Sequence, residues 1–345
     1  MATAPLSNHE ARIIPMSDAD LAGLEALFDE QCREWLAVLK WDYTGPSRMI
    51  RQVMRQHELV GFAAMSGSRA IGFAYYVVEN ERCTIGDIFV TKDWRGAGVD
   101  RQMVAAILDK LERGPRLRRI ESQCVSVDND GASELFAGRG FARFDRYYMM
   151  RELERAAGEA AKLASHLQRQ SPASESASDI LIRAWQEADF AQAARVIHQS
   201  YRGRSDSRIN SQYATEEGCA ELLTILTDHL WCGDFLPHIS RVAVRRGARK
   251  LAGVLVASRI APRVGHIGQV SVHHAYQGQG LGRRLLAGAL QEFVQYGFNA
   301  ATLAVTAINT PALRLYESFG FHCIHSFPVF FRESATRRHG DAETR

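Results

Sequence analysis

The chain has 345 residues, 46% hydrophobic, 9% aromatic and 23% charged, which excludes disordered and fibrous classes and suits about two domains. Its 42 basic and 39 acidic residues leave a net charge of +3, too small and too evenly spread for a polyanion surface, so no nucleic-acid partner is expected. No apolar run reaches the roughly 18–20 residues that cross a bilayer, and the N-terminus lacks a basic segment followed by an apolar one, so signal peptide, span and membrane partner are not expected.

Six cysteines (Cys32, Cys83, Cys124, Cys219, Cys232, Cys323) lie far apart without a CxxC pair. They read as reduced thiols of a cytoplasmic protein rather than a disulfide framework, and no metal site is expected.

In chain order, an acidic N-cap region opens an amphipathic helix at SDADLAGLEALF, 17–28. A strand then runs into a glycine turn at IGDIFVTKDWRGAGVD, 85–100, and CVSVDNDGASELFAGRGF follows at 124–141. From 151 to 179 an Ala/Glu/Lys/Arg stretch passes into Ser, Pro and Ala with almost nothing to bury, and it reads as a linker. The pattern then returns as QEADFAQAARVI at 186–197, IGQVSVHHAYQGQGLG at 267–282 and AVTAINTPALRLYESFGF at 304–321. Blocks in register at offsets of 182 and 180 imply that a whole domain was duplicated, giving segments 12–150 and 180–331.

In the second copy the periodicity predicts a strand at 180–185, helices over 187–230, and strands near 239–244 and 250–260 turned by Arg246-Gly247. Next come a strand at 266–272, a helix at 280–296, a strand at 300–306, a helix at 310–318 and a final strand at 321–331. The polar tail beyond Phe331 offers no core-forming pattern. The fold class is α/β (α+β), two tandem domains that each carry a mixed, mostly antiparallel sheet flanked by helices.

Chemistry concentrates where the strand ending at Val272 meets the helix. Gln277-Gly278-Gln279-Gly280-Leu281-Gly282-Arg283 lets backbone N–H groups converge without Cβ interference, and the helix start adds partial positive charge, so a phosphate or pyrophosphate is the natural occupant. The spacing is neither the G-x-G-x-x-G of dinucleotide folds nor a P-loop.

The Q-x-x-G-x-G pattern of Gln277, Gly280 and Gly282 resembles the pyrophosphate loop of the GNAT superfamily of N-acetyltransferases. Asn309, Ala312, Leu315, Tyr316, Gly320 and Phe321 are similar to that family's downstream N-x-x-A-x-x-L-Y-x-x-x-G-F signature. The resemblance covers most of 180–331 and, more weakly, 12–150. It implies a GNAT-like fold in each copy and acetyl-CoA as co-substrate. The strand of Val270 and Val272 is then expected to splay and bind the pantetheine arm, the amides of 278–282 to hold the pyrophosphate, and Asn309 to contact the pantetheine. Arg283 and its neighbour Arg284 are either solvated first-turn residues or cations beside a phosphate.

Tyr316 is the expected catalytic residue, a proton donor to the departing thiolate. No general base declares itself. Leu303–Thr306 holds no carboxylate where ribosomal-protein alanine acetyltransferases carry a glutamate, which counts against that acceptor class; His266 and Gln269 remain as candidates acting through water. The segment 198–238, with Tyr201, Asp206, Arg208, Asn210, Tyr213, Asp234 and His238, is the expected acceptor region and suits a small amine with a polar or anionic group.

The first copy keeps Arg95, Gly96 and Gly98 but has Asp100 for the last glycine and Phe136 for the tyrosine. A carboxylate repels a pyrophosphate and phenylalanine has no proton to give, so this copy is expected to be catalytically silent. The resulting expectation is acetyl transfer to a primary amine, most simply a small molecule, by direct attack in a ternary complex. The alternatives are a non-catalytic acyl-CoA-binding regulatory or scaffold protein and a protein N-terminal acetyltransferase. Oligomeric state stays open.

Overall fold

The computed structural model describes residues 10–123, 130–154, 179–204, 206–228, 231–247 and 250–334. Most of the expected linker, the tail from 335 and part of the block at 124–141 lie outside the described residues. The described residues fall into two compact units, the first drawn from Met1–Cys32, Ser47–Asp145 and Phe327–Arg345, the second from Arg33–Pro46 and Arg146–Ser326. These units are not contiguous stretches of chain.

The strands of the first unit are β1 (Arg12–Pro15), β2 (Val60–Ser66), β3 (Arg69–Glu79), β4 (Arg82–Val90) and β5 (Arg119–Ser122), with β6 (Ala142–Glu152) beginning there. Neighbours in sequence pair antiparallel from β1 to β4, and β4 runs parallel to β5. Helix Val99–Glu112 covers one face, burying Met103, Val104, Ile107, Leu108 and Leu111 at helical spacing.

The second unit contains β7 (Ile180–Ala184), β8 (Asp234–Phe235), β9 (Arg241–Arg245), β10 (Leu251–Ala261), β11 (Val264–Val272) and β12 (Ala300–Thr306), with β13 (His322–Glu333) beginning in it. The boundaries lie within two residues of those expected for these strands, apart from the short β8, whose two residues pair with β10. The helical stretch after β7 is broken into Phe190–Tyr201, the single turn Asp206–Ile209 and Glu216–Thr227. The break falls at Gly203, whose φ of 74° no helix continues through.

The period-2 alternation of β10 explains the layering. Val254 and Val256 pack with Val196, Ile197, Leu223 and Leu226 of the early helices. Leu255 and Ala257 turn to the other face, against Leu285, Leu286, Leu290 and Phe293 of helix Leu281–Gln295, and Ala252 joins them because the register slips between Leu251 and Gly253. Each fully buried leucine contributes about 1.5–3 kcal/mol.

Two features of pairing were not legible in the sequence. Residues 146–152 of β6 pair antiparallel with β12, from Thr306↔Arg146 to Ala300↔Glu152, so the end of the first copy completes the second unit. Reciprocally, Phe330–Glu333 of β13 pair with Ser122–Arg119 of β5 in the first unit. The domain segments expected from the duplication, 12–150 and 180–331, are therefore each crossed by a unit boundary.

Among the described residues no helix is long and apolar enough to cross a membrane. Cys32, Cys83, Cys219, Cys232 and Cys323 are free thiols, and Cys124 lies outside the described residues.

Candidate functional site

The site begins with a break in the sheet. β11 pairs in parallel with β12 only from Val264↔Ala300 to Ile267↔Leu303, whereas its pairing with β10 continues to Val272. The register slips between Val256↔Gln269 and Ala257↔Ile267, leaving Gly268 as the extra residue of a bulge that bends the strand. Gly268–Val272 thus keep one edge unpaired with β12, which is the splay expected around Val270 and Val272.

Beyond β11 a short turn leads to Gly278 (φ 77°) and Gly280 (φ 75°), where a side chain would have space but not the conformation. Helix Leu281–Gln295 starts immediately, so the amides of Leu281 and Gly282 have no carbonyl one turn back to bind. Gln277 serves as a strut, its Nε2 donating to the Val272 carbonyl at 2.9 Å and its Oε1 accepting from Arg204 at 2.6 Å. Gln279 Nε2 donates to the Ala275 carbonyl at 3.2 Å, while its Oε1 is buried without a partner. The Leu281 side chain belongs to the core. Arg283 lies 5.3 Å over the Phe319 ring and donates to Ser318 Oγ at 3.0 Å.

Across the gap Asn309 caps helix Thr310–Glu317, its Oδ1 accepting from the Ala312 amide at 3.3 Å. One turn along, Tyr316 is 8% exposed. Burial, and then the neighbouring Tyr201 and Asp206, push its phenol well above the ordinary tyrosine value, so it carries its proton throughout the neutral range.

Two cavities meet at these residues. The larger, about 450 Å3, runs along the unpaired edge of β11 and the glycine loop, past Val270, Val272, Gln277, Gly278, Gly280–Arg283, Leu315 and Tyr316. The smaller, about 80 Å3, is walled by Arg146, Tyr201, Asp206, Asn210, Tyr213, Gln269 and Thr306. Tyr201, Val270, Asn309, Ala312 and Tyr316 line both.

The smaller cavity has a built polar wall. The rings of Tyr201 and Tyr213 stack with centroids 3.8 Å apart. Gln269 ties them together, accepting from the Tyr213 hydroxyl at 3.0 Å and donating to the Tyr201 hydroxyl at 3.1 Å and to Ser271 Oγ at 2.8 Å. Its amide is therefore committed to holding two phenols. Asp206 Oδ1 accepts from Thr306 Oγ1 at 2.9 Å.

Of the residues expected in the acceptor region, Tyr201, Asp206, Asn210 and Tyr213 line this cavity. Arg208 is not among its wall residues, Asp234 pairs with Arg259 and His238 packs on Tyr296 at 4.4 Å between ring centroids. His266 lines neither cavity. It is buried beside Trp41 and Tyr148, with Nδ1 2.9 Å from Thr302 Oγ1, and desolvation followed by the charge of Arg146 lowers its pKa to about 4.

Arg146 is the wall residue that sequence reasoning missed. It sits opposite Thr306 on the exchanged end of β6, 54 residues upstream in sequence from Ser200 and inside what reads as the first copy's own last strand. Only the strand exchange brings it here, and no spacing signals that.

Among the described residues no cluster of three or more His, Cys, Asp or Glu side chains is placed to hold a metal ion.

The sequence profile of the acetyltransferase (GNAT) family matches residues 24–141 and again 210–321. The chain belongs to this family. Membership in the GNAT family in two tandem copies makes it an N-acetyltransferase. Mycothiol acetyltransferase of Thermobispora bispora is 26% identical over 258 residues, covering 74% of this chain and 77% of that protein. In fold, the chain resembles a GCN5-related N-acetyltransferase from Sphaerobacter thermophilus, with TM-score 0.58, 18% identity and coverage of 94% and 95% of the two chains. It also resembles a tandem GNAT protein from the clavulanic acid biosynthesis pathway, with TM-score 0.53, 15% identity and coverage of 95% and 99%.

Proposed function

We propose that the second unit transfers the acetyl group of acetyl-CoA to the primary amine of a small molecule, with Tyr316 as general acid. The observation that carries this reading is the position of the Tyr316 phenol at the junction of the two cavities. The larger cavity fits the co-substrate. The open space and left-handed backbone at Gly278 and Gly280, with the first amides of helix Leu281–Gln295, suit a pyrophosphate. The unpaired edge Gly268–Val272 offers strand-like groups to the pantetheine amides.

The smaller cavity receives the acceptor. The amine nitrogen forms a bond to the thioester carbonyl carbon, the carbon–sulfur bond breaks, and the departing thiolate takes the phenolic proton of Tyr316. The proton lost from nitrogen leaves to solvent, which restores the phenol. Gln269 acts as a positioning residue for Tyr201 and Tyr213, and His266 takes no part. A mycothiol acetyltransferase among the relatives favours a small-molecule acceptor over a protein N-terminus. The first copy is silent, because Asp100 and Phe136 occupy the positions of Gly282 and Tyr316.

The test is Tyr316→Phe, followed by acetyl-CoA titration calorimetry and by turnover. Retained binding with a loss of at least about tenfold in turnover is expected. Unchanged turnover removes the general acid, and two acetyl-CoA sites per chain overturn the silence of the first copy.

A further inference from the structure

The wall of the smaller cavity holds two opposite charges that are not used on each other. The Arg146 Nε is buried without a hydrogen-bond partner, and no carboxylate pairs with its guanidinium among the described residues. Asp206 lines the same cavity, gives Oδ1 to the Thr306 hydroxyl, and makes no ion pair with Arg146. Arg146 is half-buried, and leaving its Nε without an acceptor is costly, a cost that a ligand with acceptor oxygens in the cavity offsets. The other polar groups facing Arg146 do not meet that need: Tyr201, Tyr213 and Gln269 satisfy one another, and Thr306 donates to Asp206. Water could hydrate the donor but would not balance its charge.

Resting on the acetyl transfer proposed above, we infer that the acceptor is an amine that also carries a carboxylate a few bonds away, a free amino acid or a close analogue. Arg146 binds the carboxylate, for which its planar fork is suited, and Asp206 attracts the ammonium before it gives up its proton. The size agrees. A cavity of about 80 Å3 holds several times the 10–15 Å3 that one water needs, enough for the charged head of such a molecule and too little for a large polar ligand to enter whole. Arg146, Asp206 and Tyr316 line the same cavity, which places both charges at the end of the cleft where the phenol stands.

The test compares three series of acceptors with acetyl-CoA: the free L-amino acids, the same compounds as carboxamides, and the plain primary amines left when the carboxylate is removed. Wild type is expected to prefer at least one acid over its amide and amine by about tenfold or more in kcat/KM. Arg146→Gln is expected to erase that preference, mainly through acceptor KM, while the dissociation constant for acetyl-CoA stays within about twofold. Calorimetric titration of the preferred acid into the protein saturated with CoA supplies a readout apart from turnover, with binding lost in Arg146→Gln and weakened in Asp206→Asn. Turnover of amides and amines but not acids overturns this inference and leaves the acetyl transfer standing, as does an acid preference that survives Arg146→Gln. Turnover of no member of any series overturns both.

Discussion

The two glycine loops share a backbone and differ in the side chains set around it. Gly96 and Gly98 adopt φ of 77° and 75°, the values at Gly278 and Gly280. Arg95 Nε donates to the Val90 carbonyl at 3.0 Å as Gln277 Nε2 does to that of Val272 at 2.9 Å. The bulge recurs too, at Gly86 in β4 as at Gly268 in β11. Yet in the first copy the carboxylate of Asp100 is buried and accepts from the Ala132 amide at 3.1 Å, tying the loop helix to helix Asp130–Gly138. Phe136 is stacked on Phe330 at 4.4 Å and packed against Phe141. In the second copy the same positions hold Gly282, with only Leu315 and Val272 near its missing Cβ, and Tyr316, which lines both cavities. The left-handed glycines specify the turn. At two positions the copies then part, Asp100 and Phe136 being packed into contacts where Gly282 and Tyr316 line a cavity.

The most severe test of that difference writes the first copy's residues into the second. Gly282→Asp with Tyr316→Phe is expected to lower turnover by about 10²–10⁴-fold, the usual worth of a positioned general acid, and to weaken acetyl-CoA as well. Activity within a few-fold of wild type would mean that these two positions do not separate the copies.

A second contrast concerns acid stability. His266 in the second copy is matched by Thr84 in the first, and its ring is held neutral with a pKa of about 4 against 6.5 for a free histidine. The unfolded chain takes up the proton first, so this contribution is whole above about pH 6.5 and is lost as pH falls toward 4, by about 3 kcal/mol. Denaturant midpoints measured across that range are expected to fall more steeply for wild type than for His266→Thr.

Gly282→Asp alone should weaken acetyl-CoA by about tenfold or more, read by calorimetry, because a carboxylate then stands beside the pyrophosphate position. The mildest change is Asp100→Ala, which leaves the Ala132 amide without its acceptor. It is expected to cost about 1–2 kcal/mol of stability in thermal unfolding and to leave turnover unchanged.

Much of this comparison was legible in the chain. Strands and helices of the second copy follow from period-2 and period-3.6 patterns in β10 and Leu281–Gln295, and the glycine spacing located the loop because φ near 75° leaves few alternatives. The position of Tyr316 beside the glycine loop was legible from its motif. The surroundings of His266 were not, since a histidine on a strand looks the same whether it lines a cleft or packs between Trp41 and Tyr148. The hydrogen bonds of Gln269 were not legible, because they depend on Tyr201 and Tyr213 arriving from another element. Arg146 lay beyond reach, since local periodicity says that β6 is a strand and is silent on which strand it joins.

The exchange of strand ends also bears on how the protein is made. Phe330–Glu333, which border β5, are synthesised more than 200 residues after Ser122, so the first half of the nascent chain leaves the ribosome without the neighbour that its sheet awaits. The sheet of the first copy is completed only by the last strand of the chain. A gene fission within 155–178, the obvious place to separate the halves, would yield two polypeptides that each lack a piece carried by the other. The duplication is in this way tied together by strand ends that each copy lends to the other's sheet.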